Sequence, residues 1–117
     1  MACDDGTMKI WTGIKEGAKY SLSVTGPAGG EFTAFAKFFE DSNAGAPDIW
    51  QDICPGPHVE ALHAEHVHVV QIHVLIVSAT PIDVKVEAKV EGKADFCQIV
   101  TGAHGATALI THVLGMA

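Results

Sequence analysis

Arginine is missing from all 117 residues, and seven lysines stand against fourteen aspartates and glutamates, a formal net charge of −7. Arginine reads phosphates and guanine edges through two parallel N–H donors. Without it, and with a repulsive net field, nucleic acid and anionic membrane surfaces are excluded as partners. Cysteine is sparse and odd in number. Cys3, Cys54 and Cys97 lie far apart, so neither a CxxC metal clip nor a disulfide framework can be read from their spacing. A Cys54–Cys97 bridge is expected only if the protein is exported; in a reducing compartment both thiols are expected as small core residues.

Long apolar runs are also lacking. The longest, Val67 to Ala79, is interrupted by His68, Gln71, His73 and Ser78 and is too short to cross a bilayer. Met1 to Asp5 carry no basic region ahead of an apolar stretch, so a cytoplasmic protein is expected, with an exported chain or a lipoprotein lipidated at Cys3 as the alternative. The nucleophile elbow Gly-x-Ser-x-Gly is absent around Ser21, Ser23, Ser42 and Ser78. Cys54 stands four residues before His58, but Pro55 and Pro57 between them oppose a shared helical face. Gly102-Ala103-His104-Gly105 lacks the Lys-Ser/Thr of a phosphate-binding loop and reads as a turn.

What the chain does have is 48% hydrophobic residues, enough for one core in one domain spanning residues 1–117. From Ile82 to Glu91 apolar and charged residues alternate without a fault, the mark of a strand with one buried and one solvated face. His66 to Ala79 reads as a longer strand with both parities mostly apolar from Val69 onward, hence central and covered on both sides. Asp95 to Thr101 is a third strand, with Gly92 supplying the hairpin turn before it. Met8 to Thr12 and Lys19 to Thr25 read as two further strands. Two segments carry mixed signals. Phe32, Phe35, Ala36 and Phe39, and later Ala106, Leu109, Ile110, Val113 and Leu114, sit at helical spacing, yet aromatic and β-branched content favours strands. Asp41 to His63 is rich in glycine and proline and irregular, with a helical turn expected at Pro47 to Cys54.

These elements predict a mainly β fold: a small antiparallel β-sandwich or jelly roll of about seven strands. Helices near 31–40 and 106–115 would give an α+β alternative.

Histidine is the one abundant functional side chain. Protonating all seven would move the formal charge from −7 to 0, so solubility and self-association are expected to change between about pH 7 and pH 5. His58, His63, His66, His68 and His73 cluster, and on a strand His66 and His68 project to one face about 6.5–7 Å apart. Two imidazoles at that distance can share a transition metal such as Zn, Cu, Ni or Fe. Cys54, His58, Glu60, His104 and His112 are candidate further ligands. Trp50, in the irregular stretch, is the aromatic most suited to a ligand or partner contact; Trp11 and Tyr20 are expected in the core.

The first functional expectation is a non-enzymatic binding or assembly module that pairs with itself or with another protein. The alternative is a metal-binding protein or small metalloenzyme built on His66 and His68.

Overall fold

The computed structural model describes residues 3–27, 31–40, 51–52, 58–62 and 67–117. Nine strands lie among them: β1 (Met8–Ile14), β2 (Lys19–Thr25), β3 (Phe32–Glu40), β4 (Gln51–Asp52), β5 (His58–Ala61), β6 (Val67–Ile76), β7 (Ile82–Val90), β8 (Phe96–Gly102) and β9 (Thr107–Met116). They form a five-stranded sheet, β1-β9-β6-β3-β4, packed on a four-stranded sheet, β5-β2-β7-β8. The fold is a small β-sandwich, with no helix among the described residues.

Both ambiguous segments are strands, and the neighbour on each side explains why. β3 runs antiparallel to β6 over nine paired residues, Phe32↔Ile76 to Glu40↔His68. In that register Ala34 and Ala36 are buried while Thr33, Phe35 and Lys37 are half-exposed on the other face. The helical spacing of the phenylalanines is therefore incidental, because Phe35 and Ala36 go to opposite faces. β9 is held between β6 and β1, and Ile110, His112 and Leu114 alternate inward. A helix would leave the ladder partners of both neighbours unpaired, which no local preference compensates.

The fold class is as expected; two local expectations, the helical turn at Pro47 to Cys54 and the partner of Cys97, need correction, and the strand set has two features of its own. The strand count exceeds seven because Gln51–Asp52 and His58–Ala61, inside the stretch read as irregular, add short edges to the two sheets. Gln51 and Asp52 pair with Ala36 and Phe35 as a strand, where a helical turn was expected. One pairing is parallel: β1 lies beside β9 with Met8↔Thr111 and Trp11↔Leu114, a consequence of the first strand entering at the edge opened by the last. Cys97 bonds to Cys3, not Cys54, and lies half-buried on β8 outside the core.

The inner layer is built from the even parity of β2, β6, β7 and β9. Leu22, Val24, Val70, Ile72, Val74, Val84, Val86 and Ile110 are all buried there. Fully burying one such side chain stabilises by roughly 1.5–3 kcal/mol, so this layer dominates the energetics. Gly92, at φ +77, makes the tight β7–β8 turn that only glycine adopts freely. On one flank the chain from Cys3 to Thr7 crosses between the sheets. Asp5 N–H donates to the Cys97 carbonyl at 3.0 Å, and Asp5 Oδ2 accepts from Cys97 N–H at 2.8 Å. Gly6 N–H donates to Gln98 Oε1 at 2.7 Å, and Thr111 N–H then donates to the Thr7 carbonyl at 2.8 Å. The Cys3–Cys97 bond anchors the start of this strap to the four-stranded sheet.

Candidate functional site

The metal expectation rested on His66 and His68 sharing a face. His68 sits on the inward parity of β6, 7% exposed, opposite Leu114 of β9, so its face is the one turned toward the other sheet. His66, Cys54 and Trp50 lie outside the described residues. His58 and Glu60 are on β5, at an edge of the opposite sheet, registered with Leu22 and Tyr20. His104 is exposed in the β8–β9 turn, and His112 is fully buried. Among the described residues no three His, Cys, Asp or Glu side chains converge as metal ligands would.

His112 instead meets Tyr20, a contact that joins the two sheets. Tyr20 Oη and His112 Nδ1 are 2.8 Å apart, both side chains 0% exposed. Three aromatic rings surround the imidazole edge-on, with centroids at 4.4 Å for Phe96, 5.1 Å for Trp11 and 5.8 Å for Tyr20. Nε2 has no hydrogen-bond partner among the described residues. If Nδ1–H donated to the phenol, both the Tyr20 hydroxyl proton and the Nε2 lone pair would be unpaired. If the Tyr20 hydroxyl donates to Nδ1, only Nε2–H is left, and it can rest against aromatic faces. The second tautomer leaves fewer orphaned groups and is the one the geometry favours. Desolvation lowers the His112 pKa from 6.5 to about 3 and holds the Tyr20 phenol well above its ordinary value near 10. The pair is neutral and sealed, a structural tie with no access for a substrate. Trp11 supports it by donating its indole N–H to the Ala94 carbonyl at 2.8 Å.

The accessible feature that stands out is the outer face of the five-stranded sheet. Cross-strand register arranges it in rows. Ile10 lies beside Val113 and Val69; Met8 beside Thr111, Gln71 and Lys37; Leu109 beside His73 and Phe35; Thr107 beside Leu75 and Thr33. Met8 is 58% exposed, Ile10 59% and Leu109 49%, while the central positions are half-exposed. His73 Nε2 and Thr107 Oγ1 are 3.0 Å apart within it. The formal charges that register brings into these rows are Lys37 and, on the edge strand opposite Phe35, Asp52. The sequence pattern of β6, mostly apolar on both parities, implies cover on both sides; among the described residues only the inner side is covered. The outer face of the four-stranded sheet is unlike it. Asp83, Lys85, Glu87 and Lys89 of β7 lie beside Ser21, Ser23 and Thr25 of β2 and Thr101 of β8. Lys85 and Glu87 pair at 3.8 Å, and Thr101 donates to Asp83 at 2.7 Å.

Comparison of the chain with protein-family models, curated proteins and solved structures finds no match. The reading of function therefore rests on this chain's own surfaces.

Proposed function

We propose that this domain is a non-enzymatic assembly module that pairs with a second copy of itself through the outer face of its five-stranded sheet. The observation that carries this reading is the contrast just described: the sequence makes β6 mostly apolar on both sides, and the described strands cover only one.

Size and charge both favour a second copy as the occupant. Four strands at about 4.8 Å and four rows at about 6.7 Å give a face of roughly 500 Å², or about 1,000 Å² for two copies, the lower bound for a specific interface. The chain carries −7, yet register brings only Lys37 and Asp52 among the described charged residues into this face, so two copies meeting there keep most of their carboxylates turned away from each other. A sheet face of mixed apolar and polar residues with little charge can be self-complementary, as an isologous two-fold interface requires. Light scattering during size exclusion is expected to give twice the 12.3 kDa chain mass at micromolar concentration. A strict monomer at about 100 µM, well above the Kd of a specific pair, would overturn the reading.

The Cys3–Cys97 bond supports an oxidising compartment as the place of work over the cytoplasm, because such bonds persist there. Alkylation of the native protein followed by mass spectrometry is expected to leave two of the three cysteines unmodified until reductant is added. Full alkylation without reductant, in protein made under oxidising conditions, would count against it.

A further inference from the structure

Four of the seven lysines gather at one end of the sandwich, where they border two adjoining cavities. The first, about 480 Å³, opens where the β1–β2 turn meets the β7–β8 turn and is walled by Lys15, Lys93, Gly13, Gly17 and Gly92. The second, about 470 Å³, shares Gly92 and Lys93 and adds Lys19 and Lys89. Each is within the ~300–1,000 Å³ range of small-molecule sites.

The cations there are not consumed by the neighbouring acids. Glu91 lines both cavities, but its Oε1 accepts from the Lys19 backbone N–H at 2.7 Å. Glu16 borders the first cavity and Asp95 the second. The Lys15 and Lys93 ammonium groups make no ion pair or hydrogen bond among the described residues. Lys15 and Lys93 stand against Glu16 and Glu91 on this wall, a formally balanced set in a chain of net −7, and the two ammonium groups are left without an ion pair among the described residues. The glycines shape the site. Gly13 has φ +67, and a Cβ there would come within 3.3 Å of Lys93 Nζ, so the ammonium rests over backbone that no side chain obstructs.

We propose that this cavity binds a small oxyanion bearing two or more anionic groups, held by Lys15 and Lys93. Charge-assisted hydrogen bonds from two ammonium groups supply the attraction, and the bare glycine backbone lets the ligand approach closely. Glu16 at the wall opposes a ligand that is anionic on every side and favours one with its anionic groups to one end. The site is at the turns, apart from the apolar sheet face, so it stands or falls independently of self-assembly.

The test is an amide NMR titration with citrate and, separately, inorganic pyrophosphate, at ionic strength held constant with sodium chloride. The expected result is saturable shifts at the Gly13, Gly17 and Gly92 amides, with a Kd on the order of 1 mM or tighter for one or both probes. Saturation by citrate alone assigns the site to carboxylates, and by pyrophosphate alone to phosphates. A K15Q/K93Q double variant, both side chains being exposed, is expected to keep the spectrum of the fold and weaken binding at least about tenfold. Absence of saturation with both probes, shifts spread equally over Lys9 and Lys85, or unchanged binding in the double variant would each overturn the proposal.

Discussion

The two sheets of this sandwich share an apolar inner layer and differ in what they show to the outside. On the four-stranded sheet, β7 alternates without exception, Val84, Val86 and Ala88 inward against Asp83, Lys85 and Glu87 outward. On the five-stranded sheet, β6 sends Val70, Ile72 and Val74 inward and Val69, Gln71, His73 and Leu75 outward. The first pattern is that of a face finished in water. The second leaves apolar and polar side chains together on the outside, the face proposed above to meet a second copy. One chain therefore carries both an internal standard for a solvated sheet and a departure from it.

The strongest way to break this comparison is to place a charge on each face in turn. Val113→Asp, between Ile10 and Val69, enters an isologous interface twice per pair and is expected to raise the dimer Kd by about a thousandfold, roughly 4 kcal/mol. Ser21→Asp, beside Lys89 on the other sheet, should leave the mass of the assembly unchanged. Equal effects of the two substitutions in sedimentation experiments would remove the distinction between the faces.

The next largest effect tests what joins the sheets. His112 is neutral in the folded protein down to about pH 3, whereas in the unfolded chain it takes a proton below 6.5. Its contribution is complete above that upper value and is lost as pH falls from about 6.5 toward 3. Between about pH 7 and pH 4.5 the loss is roughly 3 kcal/mol, at about 1.4 kcal/mol per unit. Urea unfolding at both pH values should show it, and His112→Phe should remove that part of the pH dependence. A variant with the same slope as the parent would sink the assignment. Tyr20→Phe is smaller, about 1–3 kcal/mol, because it strips Nδ1 of its partner inside the core. Smallest of all is Lys85→Ala on the charged face: its pair with Glu87 is exposed, and a change within about 0.5 kcal/mol in the same urea experiment is expected.

Most of the fold was legible because each sheet writes its register into parity. Ile82 to Glu91 declared its inner face outright, and β-branched Thr107, Ile110, Thr111 and Val113 outweighed the helical spacing around them. The short edges β4 and β5 were not legible, since two or four residues are too few to show alternation. The site was half legible. Two apolar parities in β6 announced a strand covered on both sides, but pattern cannot say whether the cover comes from the same chain. The H-x-H spacing put His68 on a strand, yet spacing cannot tell a solvent face from the inward one; His68 is inward, and His66 lies outside the described residues. Tyr20 and His112 are 92 residues apart, and nothing local to either forecasts their meeting. Cys3 and Cys97 are likewise 94 apart. In both cases contact follows from topology, which residue spacing does not encode.

The position of β9 has a consequence for how the protein folds. This strand is the last of the nine in sequence, and it lies between β1, the first, and β6. Until it arrives, β1 has no neighbour in its sheet and β6 presents an open, hydrophobic edge. The β1–β9 and β6–β9 ladders therefore join strands far apart in sequence, and pairings over so long a separation close slowly. A single ten-residue strand, Thr107–Met116, completes the five-stranded sheet.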